Sequence, residues 1–211
     1  LSSSESFAIL SDEKRISRKV RKDLEPEVAA RLVQTRVYLE QNNINALRAE
    51  LEDLRGWKKS YDVEELNQLY YQLYAILSPK QLINEIEEHP EDSYWMFFWG
   101  SVAYLSQNRI HESGSFHGSL TTWDSEFPKQ NGMILSTIKA LMQEEALVAQ
   151  KYFKDIHIGY SKDLEPLVRA IRSLLEINWE NELASLPPTG QFYYESLFKN
   201  YCDTKRKQAE D

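Results

Sequence analysis

Cysteine, glycine and proline are scarce in this chain of 211 residues, which contains one Cys, 7 Gly and 7 Pro. The single cysteine, Cys202, has no second cysteine with which to form an internal disulfide. This favours a reducing compartment, and we expect a cytoplasmic protein. Because the sequence starts at Leu1 rather than Met, a processed form that has lost a signal peptide stays open as an alternative. The low glycine and proline content predicts few turns and long regular elements.

Long apolar runs, an excess of basic residues and the common catalytic motifs are also missing. No segment approaches the ~20 consecutive apolar residues that a membrane span requires, so we expect none. The net charge of −8 repels phosphate backbones and argues against general nucleic-acid binding. No P-loop, GxGxxG, HExxH or CxxC pattern occurs, so we expect no bound cofactor or metal and favour a protein that is not an enzyme.

Helical periodicity is the dominant pattern in the residues that are present. From Asp62 to Leu77, apolar side chains recur with the i, i+3, i+4, i+7 spacing of one helix face. Ser78 and Pro79 predict the end of that helix and the start of another, because Ser suits the N-cap and Pro the first turn. The segment YWMFFWGSVAYLSQ (94–107) is apolar nearly all round, which predicts a central buried helix.

These patterns predict an all-α protein of stacked antiparallel helix pairs, either a tetratricopeptide-like α-solenoid or an irregular helical bundle. Residues 12–204 are expected to form a single helical domain between a flexible N-terminal segment (1–11) and a flexible charged tail (205–211). Within this domain, periodicity predicts one continuous helix over 133–153 and a last helix around 193–201.

The segment 82–105 resembles the junction between two tetratricopeptide repeats. A predicted helix ends at His89 and Pro90, a short acidic turn follows, and the next helix carries Trp99 and Gly100. In that family a proline closes one repeat, and a glycine in the next helix lets neighbouring helices approach closely. The resemblance implies a helical-repeat scaffold that binds a protein or peptide in a groove, and it implies no chemistry.

Residues 108–131 interrupt the helical pattern and predict a long connection between helices. Arg109 and the segment 113–116 (Ser-Gly-Ser-Phe) are similar to a loop that follows an aromatic helix in an uncharacterised bacterial family of tetratricopeptide-like architecture. The same region gathers imidazole, carboxylate and guanidinium groups. The candidate ligand- or partner-binding residues are Arg109, His111, Glu112, His117 and Asp124.

Two functions of different class are compatible with these features. The leading hypothesis is a non-enzymatic scaffold, of adaptor, chaperone or immunity type, that binds another protein or peptide. Acidic residues gathered over 85–92 would suit a basic partner, although a solvated helix face has the same pattern. The alternative is an enzyme or metal-binding protein that uses 108–131, since His and carboxylate together can ligate a metal or act as a base with its orienting partner. A purely structural connection is the third interpretation of that region.

Overall fold

The predicted all-α class is confirmed. The computed structural model describes residues 23–156, 159–179 and 191–211, of which 77% are helical and none forms a strand. The described helices are α1 (Pro26–Glu40), α2 (Ile44–Lys58), α3 (Glu64–Leu77), α4 (Pro79–Glu88), α5 (Tyr94–Ser106), α6 (Ile110–Ser119), α7 (Gln130–Met142), α8 (Ala146–Lys154), α9 (Glu165–Glu176), α10 (Gln191–Ser196) and α11 (Lys199–Glu210). Two short 3₁₀ helices span Leu120–Trp123 and Lys162–Leu164. The segments 1–11 and 12–22 lie outside the described residues.

Consecutive helices are joined by short connections and pack as pairs: α1 with α2, α3 with α4, α5 with α6, and α7 with α8. Short connections make such neighbours antiparallel. The first helices of successive pairs also contact one another, α3 against α5 and α5 against α7. The result is two layers of helices, and α9 to α11 close the far end, with α10 reaching back to α3. None of the helices in the described part of the chain combines the length and the apolar composition that a bilayer crossing requires.

Helix α5 is the buried centre of the stack, as its apolar sequence predicted. Every residue from Tyr94 to Ser106 except Phe97 is buried, and α5 contacts α3, α4, α6 and α7. A helix with neighbours on several sides needs apolar side chains all round, because a polar group on any face would lose its water. The aromatic residues of α5 other than Phe97 are therefore part of the core.

The predicted long connection over 108–131 is wrong, because most of it is helix. α6 and the following 3₁₀ helix occupy its first half, and α7 begins at Gln130. Gly114 and Gly118 are both exposed, so they weaken the apparent helical propensity without facing the core. On the buried side, the hydroxyl of Ser113 donates to the carbonyl of Ser101 at 3.1 Å, and the Ser101 hydroxyl donates to the Ser113 carbonyl at 3.2 Å. Packing against α5 thus holds a helix that its own residues specify poorly.

Other helix boundaries also differ from the predicted ones. The helix predicted over 133–153 is divided into α7 and α8, and Glu144 between them has a positive φ of 60°. The helix predicted around 193–201 is likewise two helices, and the second runs to Glu210, so the predicted tail 205–211 is helical up to that residue. Ser78 does occupy the N-cap of α4, ahead of Pro79, but its side chain makes no capping hydrogen bond.

Candidate functional site

Arg109 is held in an internal ion-pair cluster. Its Nε donates to Glu112 Oε1 at 2.8 Å, and its Nη2 donates to Glu87 Oε1 at 2.9 Å. The guanidinium also lies over the ring of Tyr104, 4.8 Å from the centroid, and the Tyr104 hydroxyl donates to the same Glu87 oxygen. Arg109 therefore links α4, α5 and α6. Two of the five candidate residues from the sequence, Arg109 and Glu112, form an ion pair with each other.

The two candidate histidines do not form one site. His111 and His117 are six residues apart on α6, which places them about 120° apart around the helix axis. His111 is exposed, whereas His117 is half-buried and lines a cavity of about 260 Å³ together with Asp124. The candidate set is thus divided: Arg109 pairs with Glu112, His117 and Asp124 line one cavity, and His111 belongs to neither group. Among the described residues, no group of three or more His, Cys, Asp or Glu side chains is arranged to hold a metal ion.

The cavity beside His117 has aromatic walls. Tyr94 and Phe127 stack with ring centroids 3.7 Å apart, and Trp123 meets both rings edge-on. The indole N–H of Trp123 is buried and has no hydrogen-bond partner within the described structure. Burial, followed by the nearby charge of Lys139, holds the pKa of His117 below its ordinary value of 6.5. The imidazole is therefore neutral at pH 7.

Acidification is expected to destabilise the protein through His117. Because the folded state depresses the pKa of this group, the unfolded chain binds more protons below about pH 6.5, and stability falls as pH drops from there towards the folded-state pKa. The melting temperature of the wild type should therefore fall between about pH 7.5 and about pH 5.5 by more than that of His117→Gln. His111→Gln, at an exposed site on the same helix, should behave as the wild type. If the melting temperatures of all three proteins depend equally on pH, His117 is not the group that destabilises the protein on acidification.

Most carboxylates of the acidic segment 85–92 already have partners inside the protein. Glu85 accepts a hydrogen bond from the Tyr70 hydroxyl at 2.9 Å, and Glu87 is the partner of Arg109 and Tyr104. Glu91 accepts from the Lys58 ammonium at 2.6 Å and from the Tyr71 hydroxyl at 2.8 Å. These contacts fasten α4 and the turn after it to α2, α3 and α5, which leaves fewer free carboxylates for a basic partner than the sequence suggested.

A larger cavity lies elsewhere, between α1, α3 and α9. It has a volume of about 940 Å³, near the upper end of the ~300–1,000 Å³ typical of ligand pockets. We call it the α1–α9 groove. Its lining residues are Arg36, Leu39, Glu40, Gln72, Ile156, Gly159, Tyr160, Lys162, Asp163, Glu165, Pro166, Arg169 and Arg172.

A chain of buried hydrogen bonds fixes the part of the groove formed by α3. Gln68 donates its side-chain N–H to the Gln72 oxygen at 2.9 Å, and Gln72 donates to the Tyr193 hydroxyl at 2.7 Å. Burial raises the pKa of Tyr193 well above its ordinary value, so this hydroxyl stays neutral. Since both polar groups of the Gln72 side chain take part in these bonds, its orientation against the groove is set before any ligand arrives. Gln68 Oε1, in contrast, is buried without a partner among the described residues.

An ion pair joins the two sides of the groove. Arg36 Nε of α1 lies 3.3 Å from the Asp163 carboxylate in the 3₁₀ helix before α9. Next to it, the Tyr160 hydroxyl donates to Glu165, and burial followed by this hydrogen bond raises the pKa of Tyr160 to about 12. The ion pair holds the segment 159–165 against α1, and the Tyr160–Glu165 hydrogen bond is internal to that segment.

None of the groove residues was among the candidates from the sequence. Arg169 and Arg172 lie on α9, but part of the groove that they line comes from α1 and α3, 90 residues or more away in the chain. The one available signal was the spacing of Glu165, Arg169 and Arg172, which places three charges on one face of α9. Comparisons with protein-family models, with curated proteins and with solved structures found no match.

Proposed function

We propose that this chain is a non-enzymatic helical scaffold that binds a segment of another protein in the α1–α9 groove. The observation that carries the proposal is the groove itself: about 940 Å³ in volume, open to solvent and formed by helices from both ends of the stack. A cavity of this size accommodates several side chains, whereas the cavity beside His117, at about 260 Å³, accommodates a single small group.

The arrangement of helix pairs supports the same function. Stacked helix pairs can form concave surfaces, and such surfaces are what helical-repeat proteins use to bind peptides. At the junction that resembles tetratricopeptide repeats, Gly100 lies against both α4 and α6: a Cβ placed there would be 3.1 Å from Ile86 Cδ1 and from Phe116 Cδ1. This close approach is the role that the resemblance implies for a glycine at this position.

The test is to select peptides that bind the protein from an unbiased display library. The affinity of the selected peptides, carrying a fluorescent label, is then measured by anisotropy. Glu40→Trp introduces a large side chain at the exposed end of α1 that lines the groove, and it should weaken binding at least about tenfold. Glu27→Trp is the matched control: it removes the same charge and adds the same bulk on the same helix, at an exposed residue outside the groove. We expect the control to bind within about twofold of the wild type.

Two outcomes would overturn the proposal. One is a selection that enriches no peptide above the background of an unrelated helical protein. The other is a set of winners that bind the wild type, Glu40→Trp and Glu27→Trp equally well, because those peptides would contact another surface.

A further inference from the structure

Basic side chains are concentrated in the α1–α9 groove of an otherwise acidic chain. The chain as a whole has 33 Asp and Glu against 25 Lys and Arg. In the groove the balance is reversed, with four cations, Arg36, Lys162, Arg169 and Arg172, against three anions, Glu40, Asp163 and Glu165. The electrostatic potential inside the groove is therefore more positive than the net charge of −8 would suggest.

The acidic groups of the groove form ion pairs with some of its cations and leave others without a carboxylate partner. Asp163 pairs with Arg36, and Glu165 accepts the hydroxyl of Tyr160. The distance from Arg169 Nε to the other Glu165 oxygen is 3.9 Å, too long for a hydrogen bond. Within the described part of the chain, Lys162 and Arg172 have no carboxylate at ion-pair distance, and Arg172 instead lies over the Phe153 ring at 5.8 Å.

Arg169 has a polar atom that is buried without a partner. Its Nε is inaccessible to solvent and makes no hydrogen bond to any described residue, although the side chain as a whole is 42% exposed. A ligand in the groove would therefore meet the exposed part of this side chain and not its Nε. Arg169 and Arg172 are three residues apart and therefore point from the same face of α9.

Guanidinium groups match planar anions with two oxygens. An Arg side chain can donate two parallel N–H bonds to one carboxylate, and such charged pairs are stronger than neutral hydrogen bonds. Arg169 and Arg172 have donors to spare, and Lys162 lines the same groove. Carboxylates of a ligand bound to the two Arg side chains would lie about one helical turn apart. We infer that the α1–α9 groove takes an acidic peptide segment, with its Asp or Glu carboxylates bound by Arg169 and Arg172. The inference rests on the function proposed above and specifies the chemistry of the partner.

The experiment uses three fluorescein-labelled decapeptides, of glutamate, glutamine and lysine, and measures anisotropy at about 0.15 M salt, where charges farther apart than ~8 Å are largely screened. The glutamate peptide should bind the wild type, and the other two should bind at least about tenfold more weakly. The double variant Arg169→Gln, Arg172→Gln should lose at least about tenfold in affinity for the glutamate peptide. Arg48→Gln is the control, since Arg48 is an exposed cation on α2 away from the groove.

The inference fails if the glutamine peptide binds as well as the glutamate peptide, or if Arg48→Gln weakens binding as much as the double variant, which would indicate a non-specific charge effect. Circular dichroism melting of the double variant checks that any loss of binding occurs in a folded protein. If library winners are sensitive to Glu40→Trp but are neutral or basic, the scaffold function stands and the acidic partner is wrong. If no peptide of any charge binds, both fail.

Discussion

Gly100→Leu is expected to destabilise the protein by about 1–3 kcal/mol, although Leu has the higher helix propensity. A Cβ at position 100 would already be 3.1 Å from Ile86 Cδ1 and from Phe116 Cδ1, which is closer than ordinary van der Waals contact. Leu adds three more carbons at a position that is fully enclosed, so α4 and α6 must move away from α5. Each kcal/mol should appear as a fall of about 2–4 °C in melting temperature for a chain of this size.

Gly114→Leu is the matched control for this prediction. Gly114 lies in α6 and is exposed, and a Cβ placed there would meet no neighbouring side chain or helix within 4 Å. The same substitution there should leave stability unchanged or raise it by up to about 1 kcal/mol through helix propensity. Phe116→Ala in the Gly100→Leu background should recover part of the loss, since it removes one of the two contacts. A melting temperature for Gly100→Leu at or above that of the wild type would contradict the prediction that close packing of α4 and α6 against Gly100 excludes a side chain there.

Asn131→Leu is expected to cost about 2–4 kcal/mol, because it leaves more than one polar group without a partner. Asn131 is fully buried at the start of α7. Its Nδ2 donates to the Tyr94 hydroxyl at 2.8 Å and to Ser161 Oγ at 3.0 Å, and its Oδ1 accepts from the Ser161 backbone N–H at 2.9 Å. Leu is of broadly similar size, so the loss arises mainly from unpaired polar groups and not from a cavity.

A double-mutant cycle with Tyr94→Phe distinguishes loss of hydrogen-bond partners from poor packing of the Leu side chain. If Asn131 and Tyr94 stabilise the protein through their mutual hydrogen bond, Tyr94→Phe should cost less in the Asn131→Leu background than in the wild type, with a coupling energy of about 0.5–3 kcal/mol. Purely additive effects would show that the two side chains act independently. Asn131→Leu should also weaken peptide binding, because Ser161 belongs to the segment that carries one side of the α1–α9 groove.

Residue patterns predicted helices α3, α4 and α5 correctly, for a local reason. The spacing of apolar residues in α3 and the Ser-Pro pair before α4 act within one or two turns, so they are legible without any knowledge of the partner helices. The uniform apolar character of α5 likewise revealed that it is surrounded on several sides. All-α class, paired helices and the buried position of α5 follow from this information alone.

Helix α6 shows where local information was insufficient. Its serines and two glycines are typical of a connection, and Gly, Ser and His all lower intrinsic helix propensity. What decides its conformation is burial of one face against α5, with the paired hydrogen bonds of Ser101 and Ser113 and the packing of Phe116. These contacts come from residues on another helix, so only the tertiary structure could place His117 in a cavity and Arg109 in an ion-pair cluster.

The amino-acid sequence by itself therefore determined the helical class and the approximate positions of several helices, because propensity, capping and periodicity are properties of neighbouring residues. The tertiary structure decided which polar groups are free. It assigned the carboxylates of Glu85, Glu87 and Glu91 to internal partners, and it brought Arg36 from α1 next to Arg169 and Arg172 of α9. The physical reason is that the groove is lined by side chains from segments more than a hundred residues apart in the sequence. The packing of the helices decides which of these side chains lie next to one another.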